Sequence, residues 1–269
     1  MYLMTGLKAF ALFLAVAALT GCGTLPNGRG WGQDATPFPG WRRVRDAAVK
    51  AVTAPATWAP AAGALVLKVD DMDEDLADWA TDHMFLFGSQ DDAERAADLL
   101  NATAHASYLV TALLTPSGDK EVWLNAKLKG IGVGFAAMMT SCGTTCVLKD
   151  TFSLTRPDGS NDRSFPSGHA SSAATATMLA SKNVEYLTLS NRKKTALHAG
   201  LTTLPFAVGW ARVEANKHYP SDILFGIALG NLFGAFFNDA FLGIDSHDSI
   251  TVTIEPYKEG VMVGLTWTF

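Results

Sequence analysis

The ten residues Arg163–Ser172, RSFPSGHASS, are the part of the sequence that decides the fold. A Pro-Ser-Gly-His run leads there into a stretch of small residues, HASSAATATMLAS, and together they predict a helix over residues 166–181. Glycine and serine are poor residues for a helix interior, and packing alone does not explain a histidine in the first turn. We therefore infer that the start of this helix has a task other than packing.

The start of this helix is a predicted anion-binding site. Pro166 suits the first turn of a helix, because its missing N–H is no loss there. Ser167 and Gly168 then leave backbone N–H groups unpaired, and glycine lets a ligand approach the backbone. Such N–H groups and the helix dipole together favour a bound anion, so we expect Ser167 and Gly168 to bind phosphate.

Three cationic residues in neighbouring motifs extend the predicted anion site. Lys149 and Arg156 frame the segment KDTFSLTRP, and Arg212 begins the segment RVEANKHYPSD. Arginine can give bidentate hydrogen bonds to phosphate oxygens, and lysine supplies a point charge. We expect the three side chains to bind phosphate and to stabilise the negative charge of a phosphoryl transition state.

Two histidines divide the chemical work in this prediction. His218 precedes Pro220 and so lies just before a helix, and Asp222 falls in the first turn of that helix. An aspartate there can orient the imidazole by a hydrogen bond, as in a Ser-His-Asp triad. An oriented neutral imidazole is a competent nucleophile, which leaves His169 as the general acid. One neutral and one protonated histidine predict a bell-shaped pH profile.

The three motifs resemble those of the phosphatidic acid phosphatase type 2 superfamily, which includes lipid phosphate phosphatases, bacterial acid phosphatases and vanadium haloperoxidases. The resemblance covers Lys149–Asp222, and every motif residue is present. Three motifs in order and at the family spacing are far more specific than a lone PSGH. The resemblance implies a mainly α fold, a helical bundle of the acid phosphatase and haloperoxidase type. It implies a phosphohistidine on His218, an acid role for His169, and neither metal nor cofactor.

These observations together predict a metal-independent phosphatase that hydrolyses a phosphomonoester or pyrophosphate, on a soluble molecule or on a lipid. Two alternatives stay open. A vanadium-dependent haloperoxidase would bind vanadate at His218, although such enzymes are generally larger. A non-catalytic envelope lipoprotein would use a C-terminal hairpin as an edge for binding a partner. The net charge of −5 argues against a nucleic-acid partner.

The N-terminus predicts a targeting segment and a lipid anchor. Residues 9–19, AFALFLAVAAL, have the length of a signal-peptide core and are too few to span a bilayer. Cys22 follows Leu-Thr-Gly as in the bacterial lipobox, an ordinary secretory signal being the alternative. We predict a signal peptide over 1–21 and acyl chains on Cys22 that tether the protein to a membrane. By the sorting rule of such lipoproteins, Gly23 favours the outer membrane, with the protein facing the periplasm.

The rest of the chain divides by composition. Residues 22–40 are rich in glycine and proline and predict a linker after the lipidated residue. We predict a helical phosphatase domain over 41–245 and a β-hairpin over 246–269, where side chains alternate with period two. The apolar runs near the C-terminal end of the domain are too short or too polar to span a bilayer, and we expect them to be buried. The predicted helices cover 41–52, 91–114, 121–149, 166–181, 191–213 and 220–241.

Three local features carry weaker predictions. The helix over 121–149 is rich in small residues, and we expect it to be central in the bundle. Cys142 and Cys146 fall one helical turn apart, where bridge geometry is poor, and we favour two buried free thiols. The alternating Asp71, Asp73 and Asp75 resemble the start of a calcium loop without its glycine, so we favour an acidic helix start or an exposed turn.

Overall fold

Eight helices make up most of the described part of the chain, which in this computed structural model comprises residues 23–25, 27–69, 72–243, 249–257 and 260–268. The helices are α1 (Trp41–Thr53), α2 (Pro55–Val69), α3 (Met72–His83), α4 (Gln90–Leu114), α5 (Trp123–Phe152), α6 (Gly168–Val184), α7 (Asn191–Glu214) and α8 (Pro220–Phe241). The predicted mainly α fold is confirmed, and each predicted helix is present with ends within one turn of the prediction.

Helix α6 is surrounded by α4, α5, α7 and α8 and is buried along most of its length. Helix α8 approaches it closely because glycines of α8 face the α6 backbone. A Cβ atom on Gly226 would lie 2.7 Å from the carbonyl oxygen of Ser167, and one on Gly230 would lie 2.3 Å from that of Ser171. Any larger residue would push the helices apart. This contact fixes the start of α6 against the start of α8, where two of the motifs lie.

Helix α5 lies at the periphery of the bundle, and the prediction of a central position is wrong. Its small residues permit close approach on one side only, where Gly130 packs under Trp31 and Gly134 packs under Tyr108. The other side of α5 carries large apolar side chains that are exposed at the protein surface. These are Leu124, Leu128, Phe135, Met139 and Val147.

Two of the described helices, α5 and α8, are long and apolar enough to cross a membrane. In α8, 56% of the most apolar window is buried inside the protein, whereas in α5 only 22% is buried. The prediction that the apolar run of α8 is too short or too polar to span a bilayer is therefore wrong by length and composition, whereas the prediction that the run is buried holds for its larger part. The apolar surface of α5 faces outward.

The outer side of α5 also carries the two described cysteines. Cys142 and Cys146 are free and exposed. The prediction of buried thiols is therefore wrong, for the same reason that α5 is not central: none of the described residues packs over this side of the helix.

The segment before α1 packs against the bundle, whereas the sequence predicts a linker over 22–40. Trp31 and Leu25 are buried and belong to the main core cluster. The backbone N–H of Trp31 donates to the carbonyl oxygen of Pro116 at 2.8 Å. The two large apolar side chains decide the structure here, despite the glycines and prolines around them. Cys22 and the predicted signal peptide lie outside the described residues.

The acidic segment starts α3 and stabilises the start of α8. Asp73 is buried, accepts a hydrogen bond from the backbone N–H of Ser221 at 2.8 Å and also accepts the Ser221 hydroxyl. Lys68 Nζ lies 2.9 Å from the same carboxylate. The carboxylate therefore caps α8 and is balanced by a cation, in agreement with an acidic helix start. Asp71 lies outside the described residues.

The chain ends in the predicted hairpin. Strands β1 (Ser249–Tyr257) and β2 (Gly260–Thr268) pair antiparallel, with Ser249 opposite Thr268 and Tyr257 opposite Gly260.

Candidate active site

Four helix ends meet at one end of the bundle and bring the sequence motifs together. Lys149 lies in the last turn of α5 and Arg212 in the last turn of α7. Ser167 is the N-cap of α6, and Asp222 lies in the first turn of α8. The N-termini of α6 and α8 supply partial positive charge at the same place, which suits an anion.

His218 is a buried imidazole beside a buried carboxylate. It lies in the turn before α8, and its Nδ1 atom is 3.6 Å from Asp222 Oδ2. At this distance the predicted orienting hydrogen bond is not formed, and His218 Nδ1 has no hydrogen-bond partner among the described residues, so the carboxylate is a close neighbour of the imidazole. Burial lowers the pKa of His218 to about 4, although Asp222 opposes this shift and Lys149 and Arg212 add to it. The imidazole is therefore neutral at pH 7.

The Asp222 carboxylate is held rigidly by its neighbours. Its Oδ2 atom accepts the hydroxyl of Ser164 and, at 3.0 Å, the backbone N–H of Tyr219. The carbonyl oxygen of Asp222 accepts the N–H of Ser167 at 3.0 Å, which ties α8 to the start of α6. The carboxylate is thus fixed before any ligand binds, as an orienting group requires.

The Ser167 contact corrects one detail of the predicted anion site. Its N–H is already donated to α8, and its hydroxyl oxygen accepts the N–H of Ala170 at 3.4 Å. Helix α6 begins at Gly168, so Pro166 precedes the helix and does not lie in its first turn. Of the two predicted backbone donors, only Gly168 has an N–H without a hydrogen-bond partner among the described residues.

Lys149 is a buried cation near the two helix starts. Its ammonium group donates to the carbonyl oxygens of Arg163 at 2.6 Å and Ser164 at 3.2 Å. Burial, together with repulsion from Arg156, lowers its pKa to about 8, while Asp222 opposes the shift. An anion beside the ammonium would offset the cost of burial and keep it charged.

Arg156 and Arg212, the two predicted arginines, each have a buried N–H group that can bind a ligand. The Nε atoms of Arg156 and Arg212 are buried and have no hydrogen-bond partner among the described residues. Arg212 donates from Nη1 to Glu94 on α4 at 3.4 Å, and burial lowers its pKa. Buried donors are rarely left without a partner, so this pair indicates a place for an acceptor-rich ligand.

His169 lies at the edge of the site, in the first turn of α6. Its Nε2 atom is 2.9 Å from Oδ1 of Asp98 on α4, and both side chains reach the surface. Burial lowers the pKa of His169, Asp98 and Glu94 raise it, and Arg212 lowers it further. The structure thus brings the predicted catalytic and phosphate-binding residues to one end of the bundle, and Cys22 lies outside the described residues.

Two acidic residues of α4 were not predicted as part of this site. Glu94 and Asp98 are four residues apart, so they share one face of α4 and contact Arg212 and His169 respectively. The spacing of the two carboxylates can be read from the sequence. The sequence does not show which helix this face of α4 packs against.

Comparison with known proteins identifies the class of this site. Residues 130–242 match the model of the PAP2 superfamily. This stretch of the chain is therefore similar to the PAP2 superfamily, which confirms the resemblance seen in the sequence. The match begins within α5 and ends just after α8, so it includes the three motifs and leaves out α1 to α4, with Glu94 and Asp98.

A particular relative is the lipid A 1-phosphatase of Porphyromonas gingivalis. It is 35% identical to this chain over 104 residues, which are 39% of this chain and 21% of the relative. The matched part is thus about a fifth of that relative's length. No solved structure matches the chain.

Proposed function

We propose that this chain is a metal-independent phosphatase that hydrolyses phosphoric esters through a phosphohistidine on His218. The observation that carries the proposal is the pair of buried Nε donors of Arg156 and Arg212, which have no hydrogen-bond partner among the described residues, near the neutral imidazole of His218. Together with Lys149 they supply positive charge and N–H donors for a phosphoryl group next to a nucleophile. The match to the PAP2 superfamily and the lipid A 1-phosphatase relative support the same activity.

The first half of the proposed reaction transfers the phosphoryl group to the protein. The Nδ1 atom of His218 faces Asp222, which leaves Nε2 to attack phosphorus. The P–N bond forms as the P–O bond to the leaving group breaks, and His169 donates a proton to the leaving oxygen. The imidazole of His218 gains positive charge in this step, and the Asp222 carboxylate balances it.

The second half regenerates the protein. Water attacks the phosphohistidine, its proton passes to the imidazole of His169, and the P–N bond breaks with its electron pair returning to His218. Inorganic phosphate leaves, and His169 is again protonated. Lys149, Arg156, Arg212 and the N–H of Gly168 hold the phosphoryl oxygens in both halves.

For the substrate we propose a phosphomonoester or pyrophosphate on a lipid. The relative acts on lipid A, as its name states, and the outward apolar surface of α5 suits a protein that works at a membrane. We also propose that acyl chains on Cys22 tether the protein to the outer membrane, facing the periplasm.

The test measures phosphate release from p-nitrophenyl phosphate, phosphatidic acid and a polyprenyl pyrophosphate by the full-length chain in detergent. We expect His218→Ala to lose at least about 10³-fold of kcat, because the nucleophile is gone. The matched control is His83→Ala, which removes an exposed imidazole on α3 and should retain wild-type rates. Chelator should leave the rates intact, and vanadate should inhibit.

Three results would contradict the proposal. They are release that persists in His218→Ala, release that chelator abolishes, and no release from any of the substrates by a folded protein. In the last case, vanadate-dependent oxidation of halide would assign the site to the haloperoxidase alternative.

A further inference from the structure

Helix α4 lies outside the part of the chain that matches the PAP2 superfamily, and one of its faces contacts the site. Asp98 Oδ1 is 2.9 Å from Nε2 of His169, within ordinary hydrogen-bond distance. Nδ1 of His169 makes no hydrogen bond to any described residue. Nε2 of His169 is therefore hydrogen-bonded to Asp98 of α4, and Nδ1 can take part in proton transfer.

The two site histidines use opposite ring nitrogens toward their carboxylates. Asp222 faces Nδ1 of His218, and Asp98 faces Nε2 of His169. In each imidazole, the neighbouring carboxylate favours a proton on the ring nitrogen that faces it and leaves the other nitrogen to react. The nitrogen left for reaction is Nε2 in His218 and Nδ1 in His169.

We propose that Asp98 is the positioning residue of the general acid: it holds the Nε2–H of His169, so that Nδ1 is the nitrogen that gives and takes the proton. This inference rests on the proposed phosphatase activity and deepens it. Asp98 does not touch the phosphoryl group, and it acts through His169.

The proton balance follows from this arrangement. His169 begins as an imidazolium with Nε2–H donated to Asp98 and Nδ1–H free. When the P–O bond to the leaving group breaks, the Nδ1 proton moves to the leaving oxygen, and a neutral imidazole with Nε2–H remains. When water attacks the phosphohistidine, Nδ1 accepts the proton of the water and the imidazolium returns. The Nε2 proton stays on the ring throughout, and Asp98 stays ionised.

Charged groups from several elements surround His169, and Asp98 is the one that contacts it. Helix α4 contributes the two carboxylates of Glu94 and Asp98, and α7 contributes the cation of Arg212. The other titratable and charged groups of the site are Lys149 on α5, Arg156 in the loop after it, His218 in the turn before α8 and Asp222 on α8. Burial and Arg212 lower the pKa of His169, and Asp98 and Glu94 oppose this shift without reversing it, so the carboxylate partner widens the pH range in which the acid is protonated.

The experiment compares Asp98→Asn with wild type on phosphate esters of graded leaving-group quality. We measure kcat against pH for p-nitrophenyl phosphate, phenyl phosphate and glycerol 2-phosphate with the full-length chain. kcat describes the enzyme–substrate complex, in which the bound phosphate keeps Lys149 charged. The alkaline limb of the kcat–pH profile therefore reports the deprotonation of His169. We expect Asp98→Asn to move this limb to lower pH by about one unit, because the asparagine no longer stabilises the imidazolium.

The leaving groups give a second readout that a structural defect would not mimic. Glycerol 2-phosphate needs a proton at its leaving oxygen, and p-nitrophenyl phosphate hardly does. We expect Asp98→Asn to lower kcat about tenfold for the former and less than twofold for the latter. The matched control is Asp91→Asn, which removes one negative charge two turns away on the same face of α4. Its alkaline limb and leaving-group dependence should equal those of wild type.

The outcomes separate this inference from the proposed function. The proposed function fails when His218→Ala keeps hydrolysing. With His218→Ala inactive, the inference is overturned by an alkaline limb and a leaving-group dependence in Asp98→Asn like those of wild type. It is also overturned by an equal loss of kcat with all three esters, which would assign Asp98 to the fold alone.

Discussion

The two histidine–aspartate pairs of the site differ in how much of each is exposed to solvent. In the pair of His218 and Asp222, the side chains are 3% and 0% exposed. In the pair of His169 and Asp98, they are 32% and 67% exposed. A charge inside a protein interacts far more strongly with its neighbours than one in contact with water. The buried carboxylate of Asp222 can therefore stabilise a positive charge on His218 strongly. The exposed imidazole of His169 can exchange protons with the leaving group and with water.

This difference matches the division of labour that we propose. A nucleophile must stay neutral and in place until phosphorus arrives, and burial supplies both conditions to His218. An acid and base must be protonated in one half-reaction and deprotonated in the other, which burial would oppose. If burial, and not merely the presence of an aspartate, sets the size of each effect, the same substitution must have different consequences in the two pairs.

The largest effect is expected from Asp222→Asn. The positive charge that His218 gains on phosphorylation would then have no balancing carboxylate in a buried place. We expect kcat to fall by about 10⁴-fold, in line with the replacement of the buried aspartate by asparagine in a catalytic triad. Phosphate release from p-nitrophenyl phosphate measures it.

The control for this substitution is Asp98→Asn, the same change in the exposed pair. With p-nitrophenyl phosphate it should cost less than twofold, because that leaving group needs little protonation. Equal losses of kcat in Asp222→Asn and Asp98→Asn would contradict the proposed difference between the two pairs, since burial would then not affect the contribution of the aspartate.

A second prediction concerns the free energy of unfolding and its dependence on pH. The pKa of His218 is about 4 in the folded protein and about 6.5 when the group is in water. Between these pH values the unfolded chain binds a proton at this position that the folded protein does not. Stability must therefore fall as pH falls from 6.5 to 4, by about 3 kcal/mol when the whole shift is counted.

Urea unfolding of wild type and His218→Gln between pH 7 and pH 4 measures this contribution. Glutamine does not titrate, so the variant should lose less stability over the same interval, and the difference between the two proteins is the share of His218. Parallel curves for the two proteins would show that the imidazole is not held neutral by burial.

The sequence alone predicted both residues of the buried pair but only His169 of the exposed pair; Asp98 was missed. His218 and Asp222 lie four residues apart around one helix start, so their proximity follows from local geometry. Asp98 and His169 are 71 residues apart in sequence and meet only because α4 packs on α6. Local motifs predict helix ends and their chemistry, whereas partners from another helix depend on tertiary packing.

The same limit explains the errors in the predicted fold. Small residues in α5 correctly indicated close packing, but composition does not say on how many sides a helix is covered. Helix α2 was not predicted, because it begins at Pro55 and contains Pro60. A proline at the first helical position is favourable, and packing against α8 offsets the cost of the second one.

The smallest effect is expected from Glu94→Gln, on the exposed side of the comparison. Glu94 is about half exposed and accepts a 3.4 Å hydrogen bond from Arg212, which is a weak contact. Its carboxylate competes with a phosphoryl group for the guanidinium and repels the incoming anion. We expect KM for p-nitrophenyl phosphate to fall about two- to threefold at low salt, and less at high salt because exposed charges are screened. A rise in KM that does not depend on salt would contradict this, since it would mean that Glu94 orients Arg212 for phosphate and does not compete with it.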